Sequence, residues 1–199
     1  MPTAIKFDRI GGPEVLYAAP VEVGDPGHGQ VRLRQVAVGL NYADTYFRNG
    51  TYPIPLPHGM GVEAAGVVEA VGEGVKHLSV GSHVAGFAGT GGFGTHTVAP
   101  AAMLMPLPPA FSFADAAAFL CTYGTTYHAL MDRAALKASE TVLVLGAAGG
   151  VGTAAIQIGL RTRLSLVWFV AAFAIDQNHI QRLLGDFFLP IRRRKAHRE

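Results

Sequence analysis

Along residues 1–120 the apolar positions come in short runs broken by Gly and Pro. In 30–38, Val31, Leu33, Gln35 and Ala37 alternate with Arg32, Arg34, Val36 and Val38. That period of two predicts a strand with one polar edge. Residues 64–71 and 83–87 read as further strands, and Gly11-Gly12-Pro13, Asp25-Pro26-Gly27 and Gly91-Gly92 read as turns. The pattern predicts a β-barrel-like domain with few helices. From Ser112 the pattern changes. Ser112 is placed to cap a helix, with Asp115 three residues on and alanines following. A second helix is predicted over 125–134.

Val142, Leu143, Val144 and Leu145 form a short apolar strand. A tight turn of small residues follows, from Gly146 through Ala147, Ala148, Gly149, Gly150 and Val151 to Gly152. A helix is then predicted to start over 153–158. Strand, glycine turn and helix N-terminus are the parts of a phosphate cradle. The glycines let the backbone approach a pyrophosphate, and the helix start presents N–H groups at a positive dipole end.

After Leu160 the character shifts. Residues 164–175 are apolar except Ser165, and the chain closes on the basic run IRRRKAHRE. Twelve residues are too few to span a membrane, which takes roughly 20, so no membrane span is expected. The run reads as a buried strand or helix, or as a sticky exposed segment. The basic end reads as a solvated charged tail rather than a nucleic-acid or targeting signal.

Half of the 199 residues are apolar and 15% are charged, which is enough for a packed core and argues against disorder. Charge is uneven: residues 1–160 carry 8 Lys/Arg against 11 Asp/Glu, and 161–199 carry 8 against 3. With no basic stripe in the larger part, nucleic acid is not an expected partner. Cys121 is the only cysteine, which excludes an intramolecular disulfide and a cysteine-cluster zinc site. The first residues show no charged start followed by an apolar core, so no signal peptide is expected and the cytoplasm is the expected location.

Five segments, in order, carry a family resemblance: GGPEVL at 11–16, GLNYADTYFRNGTYP at 39–53, GVEAAGVVEAVGEGV at 61–75, LCTYGTTYHAL at 120–130 and ETVLVLGAAGGVG at 140–152. Over residues 1 to about 160 the chain resembles the zeta-crystallin-like NADPH:quinone oxidoreductases of the medium-chain dehydrogenase/reductase superfamily. The resemblance implies an α/β chain with a β-rich part. A GroES-like β-barrel domain (1–120) comes first. The start of a Rossmann domain (121–160) follows, truncated, and then a divergent tail (161–199). It implies NADPH as cofactor, held between the two domains, and a small quinone or conjugated carbonyl as substrate. Zinc-dependent relatives carry a Cys ahead of the Asp of the second segment and a His in a G-H-E motif. Asn41 and Val62 stand there in this chain, so no metal is expected. His58, His77, His83 and His96 show no ligand spacing either.

In the family, the segment with Asn41, Asp44, Tyr46 and Tyr52 lines the nicotinamide and substrate cleft. The resemblance assigns Asn41 to a hydrogen bond with the nicotinamide or the quinone oxygen, and Tyr46 and Tyr52 to flat apolar walls with polar tips. Water or Tyr46 then supplies the proton. Asp44 reads equally as a cofactor contact or as the cap of a helix over 45–48. Arg48 reads as a phosphate contact or as an i,i+4 partner of Asp44. Thr125 matches the family threonine near the nicotinamide ribose. Ala148, Gly149, Gly150, Val151 and Gly152 match the pyrophosphate turn. Glu63 reads as shaping the cleft, and Cys121 as a small buried hydrophobe.

Past Gly159 the family's ribose-reading pattern is missing, as a misjoined reading frame would produce. A lone strand–helix unit cannot bury both faces. Residues 121–160 are therefore expected to be poorly stabilised, unless the apolar run 164–175 supplies a neighbouring strand or the chain forms a homodimer. Three functions stay open: a quinone reductase, an enone or enoyl-thioester reductase, and an inactive product retaining only a GroES-like domain.

Overall fold

The computed structural model describes residues 1–89 and 91–169, the last three of these by backbone alone. The chain divides into two compact units, 1–134 and 135 onward.

In the first unit, the period-two segments become strands. β1 (Thr3–Phe7), β2 (Tyr17–Pro20), β3 (Gln30–Gly39), β4 (His58–Gly59), β5 (Glu63–Val71), β6 (His83–Phe87), β7 (His96–Pro100) and β8 (Leu104–Pro106) arise in chain order. They form a five-stranded antiparallel sheet ordered β7-β3-β5-β6-β8 and a three-stranded sheet ordered β2-β1-β4. The barrel-like expectation thus takes the form of two sheets. The alternation in β3 sorts as read, with Val31 and Leu33 fully buried and Arg34 exposed.

Val31, Leu33, Val68, Leu78, Val84, Ala99, Ala101 and Leu104 make the main core. At roughly 25 cal/mol per Å² of apolar area, each fully buried Val or Leu contributes about 1.5–3 kcal/mol before entropy. The β3–β5 register shifts between Gln35 and Ala37, so Val36 is an extra residue on β3. Such a bulge bends the strand and re-aims the residues beyond it. Here it precedes Gly39 and the turn into α1 (Tyr42–Arg48).

Ser112 caps α2 (Phe113–Ala117) as read, its Oγ accepting the Asp115 N–H at 3.1 Å. Ala116 and Ala117 pack against Ala65 and Ala85 of the sheet. The following helical stretch is wider than an α-helix. π-helical turns at Leu120–Gly124 and His128–Arg133 flank α3 (Thr125–Tyr127). Among the described residues, no helix is long and apolar enough to cross a membrane.

In the second unit, β9 (Thr141–Leu145) leads to α4 (Gly150–Arg161) and then β10 (Ser165–Phe169). β10 pairs in parallel with β9, Ser165 opposite Thr141 through Phe169 opposite Leu145. The first part of the apolar run therefore does supply the neighbouring strand. Residues 170–175 and the basic end lie outside the described residues. Helix α4 starts three residues earlier than the sequence pattern placed it, because Gly150, Val151 and Gly152 of the turn already belong to the helix, with Gly149 as its cap.

Candidate functional site

β3 ends at Gly39, and Asn41 turns the chain into α1 with extended dihedrals (φ −120°, ψ 148°). The Asn41 backbone N–H donates to Asp44 Oδ2 at 2.8 Å. A carboxylate three residues into the helix satisfies an N-terminal donor and complements the helix dipole. This corrects the expected helix over 45–48. Asn41 is the cap residue, Asp44 lies in the first turn, and α1 begins at Tyr42. Among the described residues Arg48 forms no ion pair with Asp44: its Nε donates to the Gly11 carbonyl at 3.2 Å.

The Asn41 side chain takes part in the same capping box and also reaches β5. Its Nδ2 donates to Glu63 Oε1 at 2.8 Å, and Glu63 Oε2 accepts the Cys121 backbone N–H, also at 2.8 Å. Glu63 is 2% exposed, so a carboxylate that would be costly to bury is held by two donors, one on each oxygen. Gly39 makes room for it. A Cβ there would collide with Glu63 Oε1 and the Ala117 carbonyl oxygen. Sequence reasoning gave Glu63 only a general shaping role, because its partners lie 22 and 58 residues away. The signal present was a lone Glu beside Val62, Ala64 and Ala65.

Asp44 is also buried, at 4% exposure, and its Oδ1 has no hydrogen-bond partner among the described residues. Burial raises its pKa above the ordinary carboxylate range, and the Asn41 N–H opposes this in part. The half-buried Cys121 thiol is pushed up first by burial and then by the negative charge of Glu63 and Asp44. That setting disfavours the thiolate a nucleophile needs.

The tyrosines form a chain of edge-to-face contacts. Tyr46 meets Tyr42 at 5.3 Å and Tyr52 at 5.2 Å between ring centres, and Phe47 meets Tyr52 at 5.5 Å. The Tyr52 N–H donates to the Tyr46 carbonyl at 2.9 Å, which fixes the loop to the helix. Tyr52 is about half exposed, whereas Tyr46 is partly buried. Asn41, Asp44, Tyr46 and Tyr52 thus come together on and around α1. Thr125 lies at the start of α3 with its side chain exposed, while Thr126 turns inward and donates to the Thr122 carbonyl at 2.7 Å.

In the second unit, the turn is built for close approach. Gly146 has φ +67°, a conformation that costs a side chain about 1 kcal/mol or more. The Gly149 N–H closes the turn onto the Gly146 carbonyl at 3.0 Å. Ala148, Gly149, Gly150 and Val151 are exposed, and no acidic residue occupies the first turn of α4. Gly152 is different. It is buried, and a Cβ there would collide with the Gly146 carbonyl oxygen and stand 2.7 Å from Ala147 Cα. Gly152 therefore lets helix and turn pack. At Gly149 a Cβ would meet only the Gly146 oxygen, at 3.4 Å. An exposed glycine turn leading into a twelve-residue helix with no negative charge at its start suits a phosphate group. Among the described residues, no three His, Cys, Asp or Glu side chains converge as a metal would need.

The Alcohol dehydrogenase GroES-like domain family matches residues 27–109. A Quinone oxidoreductase of Pseudomonas aeruginosa is 40% identical over 174 residues, which cover 86% of this chain and 54% of that protein. The Escherichia coli quinone oxidoreductase solved with NADPH superposes with a TM-score of 0.79 at 39% identity, over 83% of this chain and 52% of that one. The CurK enoyl reductase superposes with a TM-score of 0.79 at 26% identity, over 92% of this chain and 57% of that one. The chain spans about half the length of the curated relatives it matches. Over the stretch it shares with them, the chain belongs to the zeta-crystallin-like quinone oxidoreductases of the medium-chain dehydrogenase/reductase superfamily.

Proposed function

We propose that the chain is the nicotinamide-binding, hydride-transferring part of an NADPH-dependent quinone reductase. The observation that carries this reading is the exposed glycine turn 146–150, which enters α4 at an N-terminus free of acidic side chains. Ala148, Gly149, Gly150 and Val151 hold the pyrophosphate there, and Gly152 keeps the turn tight. Bound NADPH supplies the hydride.

The chain's own residues do the rest. Asn41 donates or accepts a hydrogen bond at the nicotinamide carboxamide or the quinone oxygen, and Thr125 meets the ribose. Tyr46 and Tyr52 wall the flat ring and exclude water. Tyr46 Oη–H, or water, gives the proton that the reduced quinone oxygen takes up. Asp44 holds Asn41 in place through the backbone N–H and adds a second polar group beside it. No metal is used, and the cytoplasm, with its reduced nicotinamide pool, is the location this reading expects. A homodimer that adds strands to the second unit belongs to the same reading.

Steady-state loss of nicotinamide absorbance with a 1,4-quinone tests it. Turnover that depends on both NADPH and quinone supports the reading, and no turnover at saturating cofactor leaves an inactive GroES-like product. The fold match to an enoyl reductase favours one second reading, reduction of an enone or enoyl thioester. Turnover with an enoyl thioester and none with quinones would select it.

A further inference from the structure

The geometry points to Glu63 as a positioning residue that sets which way the Asn41 amide faces and ties it to the helical start at Cys121. A carboxylate accepts hydrogen bonds and donates none. Placed at 2.8 Å from the Asn41 side-chain nitrogen, Glu63 Oε1 fixes the amide with its NH2 group inward. The second amide proton is then the donor Asn41 has left for a ligand, while its Oδ1 faces the Asp44 backbone N–H in the capping box of α1. Without such a partner, an Asn amide is free to flip and present the opposite polarity.

Glu63 Oε2 meanwhile accepts the Cys121 N–H at the start of the π-helical turn Leu120–Gly124, the segment that leads into Thr125. One buried side chain therefore connects the strand β5, the cap of α1 and the stretch carrying Thr125. π-Helical turns inside helices recur at functional sites because they re-aim side chains. The missing Cβ of Gly39 is what lets the carboxylate sit there. Glu63 touches no cofactor and acts through Asn41. Its bearing on cofactor affinity rests on the nicotinamide-binding reading above, but its hold on the amide does not.

Two measurements on the 199-residue chain separate these. In ¹⁵N-labelled protein, the Asn41 side-chain amide pair is assigned by its loss in Asn41→Ala. Wild type should show one of the two protons shifted far downfield and slow to exchange. Glu63→Gln, which keeps the volume, should bring the pair back towards ordinary Asn shifts. An ordinary, fast-exchanging pair in wild type overturns the proposal, whatever the chain binds.

NADPH titration is then compared across wild type, Glu63→Gln, Asn41→Ala and the double variant. A charge-assisted bond of this kind predicts a roughly 10-fold weaker Kd in Glu63→Gln. The double variant should be no weaker than Asn41→Ala alone, since Glu63 acts through Asn41. Two additive penalties in a folded double variant overturn the proposal and leave the nicotinamide reading standing. Absence of NADPH binding in wild type overturns the nicotinamide reading, and the amide resonances then decide the proposal by themselves.

Discussion

Asp44→Asn should leave the first unit as stable as wild type at pH 7, or more stable, and the difference should vanish in acid. Wild-type Asp44 is 4% exposed, one oxygen accepts the Asn41 N–H, and the other has no partner among the described residues. Its pKa is raised by burial, so the folded state holds this proton more tightly than the unfolded state. Below the ordinary carboxylate range both states are protonated and no charge is buried. As pH rises through that range and on through the raised folded value, the unfolded chain ionises first and stability falls. The substituted amide would keep an acceptor for the Asn41 N–H and remove the charge. It would also place a donor where the orphan oxygen stood, so the gain is bounded by the roughly 1–3 kcal/mol of one unsatisfied buried group. The expected difference at pH 7 is about 0 to +1.5 kcal/mol in favour of Asp44→Asn. Urea unfolding followed by tyrosine fluorescence, at pH 7 and at stepped lower values, measures it. A loss of more than about 2 kcal/mol at pH 7, the size expected for breaking a charged buried bond, would rule this out. It would mean that the carboxylate charge is used by a group the structure leaves unpaired.

Gly149→Ala should fold normally, since its Cβ meets only one atom at 3.4 Å, yet weaken NADPH binding at least 10-fold by standing in the phosphate path. Gly152→Ala should instead lower the stability of the second unit by about 1–3 kcal/mol, because its Cβ meets fixed backbone. Two melting curves and two titrations separate these effects. Cys121, the single thiol, should alkylate more slowly at pH 8 than a free cysteine and speed up as pH rises, in keeping with its raised pKa. Glu63→Gln should bring it closer to free-thiol behaviour. Amides of β9, paired only with β10 among the described strands, should exchange much faster than those of β5, which is paired on both sides. Equal protection would show that more sheet covers β9 than these two strands provide.

The sheet of the first unit was legible because its strands are half buried. Val31 and Leu33 against Arg32 and Arg34 reveal both the period and the inward face. Ser112 was legible as a cap because its partner is three residues away. The wide turns at 120–124 and 128–133 were not, since helix spacing in sequence does not tell an i→i+4 bond from an i→i+5 bond. β10 was one of three readings for a run with no period, and its parallel register to β9 is a tertiary choice. Within the site, the glycine turn stood out by residue type, and Asn41 through the family resemblance of its segment. The double bond of Glu63 did not, because it joins residues 41, 63 and 121, which only the fold brings together.

The function proposed for the site requires that this chain hold a nicotinamide cofactor, and NADPH binding to the purified 199 residues decides whether it does. Titration followed by nicotinamide fluorescence should saturate with a Kd in the micromolar range, about −8 kcal/mol. No change in fluorescence at millimolar NADPH, in protein whose first unit is shown to be folded, would mean that the glycine turn holds no cofactor.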